Sequence, residues 1–299
     1  MGGNKIQCLV IGANGLLGAA LGRLLSEKNI SWTGTYNKRP KDGLLRLDIT
    51  DPESVKELFF KIEPNVVFDC ANLAGGVDFC ESHPDIAKIF HLDSTINIGA
   101  QCKAMGAKMV FVSTDYVFDG TRGPYKEDVA PNPLNLYGKL KLSAEDWLQK
   151  NLKDAIVART TNVYGWDPDT VTPNYMMSLF RAAKHGKPFN APSFLWGNPT
   201  YAGDLAAALL ELYLSGAAGL FHVVGDSFVN RHEWATAACG VFGLDGSKVR
   251  EIKDAPSAMV PRPLKSWLNN EKFKRSYKTV LHDMRSGLEL MNKDMPSYV

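Results

Sequence analysis

The sequence carries almost no excess charge and no long apolar run. Its 34 Lys and Arg residues stand against 32 Asp and Glu residues, a formal net charge of +2. This balance favours neither nucleic acid nor an anionic membrane as a partner. No apolar run approaches the ~20 residues of a membrane-spanning helix, and the first strand-like run begins by Ile6, which leaves no room for a signal peptide. We therefore expect a cytoplasmic protein without nucleic-acid or membrane partners.

Cysteine and histidine are too scattered for a disulfide framework or a metal site. The five cysteines form no close metal-type pair: Cys8, Cys70, Cys80, Cys102 and Cys239. We expect free thiols. The six histidines show no metal-ligand spacing, and His232-Glu233 lacks the second histidine that a zinc-protease motif requires. The sequence therefore predicts no metal.

Length and patterning favour an α/β protein. The 299 residues are 45% hydrophobic, enough for one large or two unequal domains. The first half alternates strand and helix patterns, which predicts a Rossmann-type doubly wound parallel sheet. Strands are expected at 6–11, 31–36, 66–70, 108–112 and 155–159, with a further strand that ends at 47–49 and a long helix at 84–105. Beyond Gly165 the pattern is irregular and rich in Pro, Gly and aromatics, which indicates a smaller C-terminal substrate-binding lobe.

A glycine-rich turn follows the first apolar run. Gly12, Gly15 and Gly18 have the spacing Gly-x-x-Gly-x-x-Gly, and leucines then recur at helical intervals. Between a strand and a helix, such glycines let the backbone approach a pyrophosphate, whose charge the free N–H groups of the helix attract. The pattern predicts a dinucleotide site, and a glycine turn without a ligand is the alternative.

No carboxylate follows the second predicted strand, where an NAD site usually places one on the ribose hydroxyls. The sequence there is Asn37-Lys38-Arg39. The two cations favour the 2′-phosphate of NADPH, whereas a basic loop in solvent would have the same composition. We predict NADPH, with NADH as the alternative cofactor, and expect Asp48 beside the adenine.

A tyrosine and a lysine lie four residues apart at the start of a predicted helix. Tyr137 and Lys141 would share one helix face, and Thr114 follows an apolar run. Together they would form a proton donor for a carbonyl oxygen. The lysine charge would lower the phenol pKa from near ~10, and the threonine would hydrogen bond the developing oxyanion. On its own, the Tyr-x-x-x-Lys pair is equally compatible with a surface helix that carries an exposed tyrosine and has no catalytic role.

Taken together, the motifs resemble those of an extended short-chain dehydrogenase/reductase, most like the dTDP-4-dehydrorhamnose reductases and related 4-keto-sugar reductases. Besides the glycine turn, the resemblance rests on segments 113–120, 125–128, 133–139, 159–165, 197–201, 204–205 and 262–264. It implies NADPH-dependent reduction of the C4 keto group of a nucleotide-linked 4-keto-6-deoxy sugar, the substrate, by a protein able to form a homodimer.

The resemblance also implies roles for individual residues. Thr114, Tyr137 and Lys141 match the catalytic trio, in which Tyr137 protonates the C4 oxygen and Lys141 also holds the nicotinamide ribose. The implied cofactor-binding residues are Gly12, Asn14, Gly15, Leu16, Leu17, Gly18, Asn37, Lys38, Arg39, Asp48, Ile49, Cys70, Ala71, Asn72, Tyr137, Lys141, Asn162 and Val163. The implied substrate contacts are Asp115, Tyr116, Val117 and, on the diphosphate, Arg262. Residues 1–165 would form the NADP-binding domain, to which 200–225 would return, and 166–299 mainly the substrate lobe.

Two features depart from the family pattern. His91 stands where relatives usually carry an asparagine that helps to hold a water in the proton relay. An imidazole there would replace the amide, change the pH profile or accompany weakened catalysis, unless it is simply a histidine packed in a helix. Gly75 and Gly76 lie beside the expected mouth of the active site, so substrate choice could differ from that of the family.

Three other functions share these motifs. A 4,6-dehydratase is disfavoured because Tyr116 follows Asp115, where such enzymes carry an acid/base pair of Asp and Glu. A sugar-nucleotide epimerase would need the same trio. A non-catalytic NADP-binding regulatory subunit, similar to the β subunit of methionine adenosyltransferase, is the alternative from another class. The intact trio favours an enzyme, and His91 favours the regulatory subunit.

Overall fold

The computed structural model describes residues 6–167 and 173–295. The strands are β1 (Gln7–Ile11), β2 (Ser31–Tyr36), β3 (Leu45–Arg46), β4 (Val66–Asp69), β5 (Lys108–Thr114), β6 (Ile156–Thr160), β7 (Val163–Tyr164), β8 (Phe189–Pro192), β9 (Trp196–Gly197), β10 (Thr200–Tyr201), β11 (Gly219–His222), β12 (Val229–Asn230), β13 (Val249–Ile252) and β14 (Lys265–Ser266). The α-helices are α1 (Leu16–Glu27), α2 (Pro52–Ile62), α3 (Gly76–Ser82), α4 (Pro84–Lys88), α5 (Ser94–Met105), α6 (Leu136–Asn151), α7 (Tyr175–Lys184), α8 (Ala202–Leu214), α9 (Arg231–Phe242), α10 (Glu271–Ser276) and α11 (Met284–Lys293). A π-helical turn (Ile89–Asp93) joins α4 to α5, and 3₁₀ turns span Asp115–Val117 and Gly246–Lys248.

A seven-stranded parallel sheet in the order β11-β6-β5-β4-β1-β2-β3 forms the centre of the molecule. The chain winds outward from β1 to β3 and then returns to β4 on the other side of β1. The predicted Rossmann-type fold is therefore confirmed. In such sheets ligands bind beyond the carboxyl ends of the strands, where the winding reverses.

Helices cover both faces of the sheet, which explains why β1 and β4 are buried almost throughout. On one face α1 and α8 bury a core that includes Leu21 and Leu205. On the other face α2, α5 and α6 bury Phe59, Ile98 and Leu148. These two apolar layers fix the strand ends that carry the candidate site.

Two elements differ from the sequence-based expectation. The third strand, predicted to end at 47–49, ends earlier: β3 is Leu45–Arg46 and pairs with the end of β2. The side chains of Leu47 and Ile49 are buried in the core. Their apolar pattern therefore reflects burial of the side chains and not pairing of a strand. The helix predicted at 84–105 contains the π-helical turn, where the Ser94 hydroxyl donates to the carbonyl of Ile89 five residues earlier.

The remaining strands and helices form a smaller body of short sheets, β12-β9-β14, β13-β8 and β10-β7. Its core includes Tyr164, Met176 and Trp234. A capping box begins α9: Asn230 accepts from the Glu233 N–H over 2.8 Å, and Glu233 accepts from the Asn230 N–H over 3.2 Å. This cap fixes the position of Arg231, the first residue of α9.

Candidate active site

The glycine turn lies where β1 passes into α1. Gly12 has a φ of 77°, and a Cβ there would come within 3.1 Å of the Ala71 Cα. The Gly12 N–H donates to the Thr35 hydroxyl over 3.2 Å, which ties the turn to β2. A Cβ at Gly18 would overlap the Gly12 carbonyl oxygen and lie 2.7 Å from the Ala13 Cα. Only glycine therefore lets α1 pack this closely on the turn.

The start of α1 is open and lacks a capping side chain. Its N-cap is Gly15, and the nearest atom to a Cβ there would be the Gly12 carbonyl oxygen at 3.4 Å. The N–H groups of Leu16, Leu17 and Gly18 belong to the first turn, whose donors have no carbonyl partner within a helix. Bare amides beside open space fit a dinucleotide diphosphate.

The residues after β2 provide positive charge beside the glycine turn. Lys38 and Arg39 are exposed, and Asn37 is half-buried. The Asn14 side chain donates to the Arg39 carbonyl over 3.2 Å, which holds this loop against the turn. A cavity of about 780 Å³ extends from here along α1 and is lined by Leu16 and Arg39 among others. Space and charge at this point suit a phosphate on the cofactor ribose.

Predicted cofactor-binding residues also lie on the side formed by the segments after β3 and β4, where Asp48 is expected beside the adenine and Ala71 along the middle of the cofactor. Asp48 is half-buried, and its Oδ1 accepts from the Thr50 N–H over 3.0 Å and from the Thr50 hydroxyl over 2.6 Å. Ile49 is buried in the core. The other predicted residues on this side range from half-buried to exposed: Cys70, Ala71 and Asn72. Asp48 thus stabilises its own turn.

Thr114, Tyr137 and Lys141 come together at the end of β5. Tyr137 lies in the first turn of α6, and its phenol is hydrogen bonded to the Thr114 side chain. Asn135 caps this helix by accepting from the Gly138 N–H over 2.9 Å. A Cβ at Gly138 would overlap the carbonyl group of the turn that follows Thr114. The glycine after the tyrosine therefore lets α6 approach close enough for the Thr114–Tyr137 bond.

The buried Lys141 is held by β5. Its Nζ donates to the Val112 carbonyl over 2.6 Å and lies 4.0 Å from the centre of the Phe111 ring. Burial lowers the pKa of Lys141 to about 8, while the negative charges of Asp69 and Glu145 oppose that shift. The lysine is thus mostly protonated at neutral pH, and it loses its proton about one pH unit higher.

The electrostatic environment of Tyr137 differs from the expectation. Burial raises the pKa of Tyr137, and the hydrogen bond with Thr114 opposes the rise. The expected lowering by Lys141 is not seen, because the pKa of Lys141 is about 8 and the amine has lost its charge before the phenol titrates. The phenol therefore stays protonated at neutral pH, which is the state that a proton donor requires.

His91 packs against Tyr137. Its ring centroid lies 5.0 Å from that of Tyr137, with the planes at 77°. The side chain is 3% exposed, and in the described part of the chain its Nε2 has no hydrogen-bond partner. Burial and the charge of Lys141 lower the pKa of His91 to about 3, so the imidazole is neutral. In this structure its contact with Tyr137 is a packing of rings.

Of the polar residues among the predicted substrate contacts, Asp115 is the most buried. Its carboxylate is 3% exposed and is hydrogen bonded to Thr114, Thr161 and Ser266. Burial raises the pKa of Asp115. The Val117 side chain is fully buried in an apolar cluster. Thr161 and Ser266 were missed by sequence reasoning, since only the fold brings these distant residues to the carboxylate.

Tyr116 packs against Tyr137 and is influenced by the charges of two arginines. Its ring centroid is 5.8 Å from that of Tyr137. Burial raises the pKa of Tyr116 and the charge of Asp115 adds to the rise, while Arg231 and Arg262 oppose it. Two guanidinium groups from the smaller body therefore lie near enough to Tyr116 for their charges to act on it.

Arg231 is a candidate site residue that sequence reasoning missed. Its Nη2 donates to the Asn162 side-chain oxygen over 3.0 Å, and its guanidinium lies 4.9 Å from the centre of the Tyr175 ring. Asn162 itself has a positive φ of 49°. The neighbouring Val163 is half-buried and belongs to β7, which pairs with β10. A single arginine after a helix cap gives no local signal of a role.

Some kinds of site are absent from the described residues. Across 6–167 and 173–295, no three or more His, Cys, Asp or Glu side chains are grouped so that they could hold a metal ion. Within the same ranges, no helix is both long and apolar enough to cross a membrane.

The sheet order and the glycine turn define an extended short-chain dehydrogenase/reductase-like fold. The family described as RmlD substrate binding domain matches residues 6–296, and the chain belongs to that family. It is 32% identical to methionine adenosyltransferase 2 subunit beta of Xenopus tropicalis over 90% of this chain and 82% of the relative. It is 30% identical to dTDP-4-dehydrorhamnose reductase of Salmonella typhimurium, covering 89% and 94% of the two chains. The dTDP-4-dehydrorhamnose reductase of Bacillus anthracis, solved in complex with NADP, superposes with a TM-score of 0.86 at 25% identity, covering 97% and 100%.

Proposed function

We propose that the protein reduces the C4 keto group of a nucleotide-linked 4-keto-6-deoxy sugar, with NADPH as the hydride donor. The observation that carries the proposal is the hydrogen bond between Thr114 and Tyr137 beside the buried Lys141. This trio lies beyond the end of β5, at the same edge of the parallel sheet as the glycine turn after β1. A proton donor and a dinucleotide cradle on one sheet edge are what carbonyl reduction requires.

The nicotinamide would supply the hydride to C4. Tyr137 would donate its phenolic proton to the C4 oxygen, and the Thr114 hydroxyl would hydrogen bond that oxygen as negative charge develops. Lys141 would stabilise the resulting phenolate by its positive charge. Its present bond to the Val112 carbonyl holds the ammonium one helical turn from Tyr137.

The cofactor preference would depend on the loop after β2. Lys38 and Arg39 would pair with the 2′-phosphate of NADPH, and the open start of α1 would hold its diphosphate. The NADP complex of the relative from Bacillus anthracis supports this cofactor.

The substrate would occupy the space between the sheet edge and the smaller body. Residues 1–165 together with 200–225 would form the cofactor-binding part, and the rest of 166–299 mainly the substrate part. Arg262 would bind the diphosphate of the nucleotide, and Asp115 and Tyr116 would border the sugar. The likeness to dTDP-4-dehydrorhamnose reductase makes dTDP-4-dehydrorhamnose the first substrate to assay.

The test is to measure NADPH oxidation by absorbance with a panel of nucleotide-linked 4-keto sugars. Reduction of at least one sugar by the wild type, and its loss in Tyr137→Phe, is the expected result. Lys139→Met, on an exposed position of the same helix, should leave the rate unchanged. If NADPH binds but no sugar in the panel is reduced, the proposal is refuted.

A regulatory subunit is the second candidate function, and the relative with 32% identity favours it. In that function the chain would bind NADP and a methionine adenosyltransferase catalytic subunit without turnover. Saturable binding to a catalytic subunit, with a change in the kinetics of that enzyme and no sugar reduction, would favour this candidate.

A further inference from the structure

Besides the cavity along α1, the smaller body contains another cavity, of about 730 Å³. This volume lies within the range of ~300–1,000 Å³ that is typical of small-molecule sites. The walls are formed by α7, the C-terminal turn of α9 and the strands β8 and β13. Phe242 lines the cavity and ends α9, whereas Arg231 begins that helix, so the helix rise separates the two by roughly 16 Å. Among the described residues, none of those implied in cofactor or substrate binding lines this cavity.

Three aromatic rings form one wall of the cavity, which we call the aromatic wall: Trp166, Phe180 and Phe242. The ring centroid of Phe180 lies 4.7 Å from that of Trp166 and 4.7 Å from that of Phe242, and the outer two rings are 6.1 Å apart. Tilted and edge-to-face pairs at these separations attract each other, so the rings fix one another in place. All three rings are half-buried, and they therefore keep apolar surface available to a ligand.

Strand pairing holds apolar side chains elsewhere around the cavity. Phe189 on β8 and Val249 on β13 are paired in register, and both line the cavity together with Leu244. These three side chains are half-buried as well. The cavity is thus apolar on more than one side, as sites for planar organic ligands are.

Three lysines also line the cavity, and we call them the lysine rim: Lys184, Lys187 and Lys248. All three are exposed, and within residues 6–167 and 173–295 none of them forms an ion pair. Asp245 lines the cavity too, and the charge of Lys248 acts on it. Its Oδ1 already accepts from the Ser247 N–H over 3.0 Å and from the Ser247 hydroxyl over 2.6 Å. The rim therefore keeps positive charge that an anionic ligand would neutralise.

We propose that this cavity binds an aromatic carboxylate, with its rings against the aromatic wall and its anionic group at the lysine rim. Aromatic pairs gain more than their buried area alone supplies, which favours a planar aromatic body over an alkyl chain. Exposed lysines contribute little each, so the apolar contacts supply most of the affinity and the charges select an anion. The site is independent of the proposed reaction, because the two share no residue.

The test is calorimetric titration of the full chain with 2-naphthoate, without and with saturating NADP⁺. We expect saturable binding at one site per chain, with the same Kd under both conditions. Replacing all three lysines of the rim by Gln should raise this Kd about three- to thirtyfold, the combined scale of three exposed charge contacts. The same variant should bind naphthalene-2-methanol, the neutral analogue, as the wild type does.

Matched controls separate the local charges from net charge. Lys61, Lys103 and Lys150 are exposed on other helices, and replacing all three by Gln makes the same change in net charge. This variant should bind 2-naphthoate like the wild type. Ala183→Phe should abolish binding, because Ala183 lines the cavity and the new ring would fill it. An unchanged affinity of Ala183→Phe for NADP⁺ would show that this variant is folded.

Several results would overturn the inference. The wild type would fail to bind 2-naphthoate saturably, or NADP⁺ would displace it, which would place the ligand in the dinucleotide site. Equal weakening by the two triple lysine variants would assign the effect to net charge, and tighter binding of octanoate would exclude an aromatic ligand. A changed oligomeric state of Ala183→Phe in light scattering would identify the cavity as an interface between copies of the chain. None of these results bears on the reduction of keto sugars, which the NADPH assay tests separately.

Discussion

Replacing Lys141 by Met tests whether the structure describes the electrostatics of the site correctly. The lysine is 5% exposed, and burial lowers its pKa from 10.5 to about 8. At about 1.4 kcal/mol per pKa unit, a shift of this size corresponds to about 3 kcal/mol. That free energy is the cost of keeping the ammonium charged in the folded protein.

The sign of the pH dependence follows from the lowered pKa. Below about pH 8 the lysine is protonated in both the folded and the unfolded chain, so the folded state bears the full cost. Between about pH 8 and pH 10.5 the folded chain releases the proton while the unfolded chain keeps it. The unfolded state then binds more protons, and the contribution of Lys141 to the free energy of unfolding rises with pH.

The assay is urea unfolding of the wild type and Lys141→Met at a series of pH values. The free energy of unfolding of the wild type, relative to the variant, should rise by about 2 kcal/mol between about pH 7 and pH 9.5. Lys139→Met, an exposed lysine of the same helix, should follow the wild type at every pH. Parallel curves for wild type and Lys141→Met would show that Lys141 titrates normally, which would refute the reasoning.

Three other changes have defined outcomes. Tyr137→Phe should lower kcat for the keto sugar by roughly 10²–10⁴, the scale of a lost general acid, and near-normal turnover would place the proton donor elsewhere. Replacing both Lys38 and Arg39 by Ala should weaken NADPH binding by about 1.5–3 kcal/mol and leave NADH binding nearly unchanged; equal wild-type affinities for both cofactors would contradict the assignment. Gly138→Ala should destabilise the protein by about 1–3 kcal/mol and slow turnover, because the new Cβ overlaps a carbonyl group. Gly240→Ala is the control, because Gly240 lies in a helix and has open space around it, and this substitution should not destabilise the protein. Equal effects of the two substitutions would argue against a close approach of α6.

The fold was largely predictable because its signals are local. Glycine spacing after a short apolar run located the turn between β1 and α1, and alternating patterns located β2, β4, β5 and β6 within a few residues. The end of the third strand was placed too late because buried Leu47 and Ile49 give the same apolar pattern as a strand. The π-helical turn around His91 was missed because its residues keep a helical appearance.

The candidate site shows what the sequence determined by itself and what only the tertiary structure decided. The sequence determined which chemical groups are present, because a phenol and an amine four residues apart on a helix must share a face wherever that helix packs. Protonation and pairing were decided by the fold, since both depend on distances between residues that are far apart along the chain. Burial shifts the pKa of Lys141, and Asp78 meets Arg262 across 184 positions of sequence. The sequence around each residue does not indicate such contacts, because they form only when the whole sheet and the smaller body have packed.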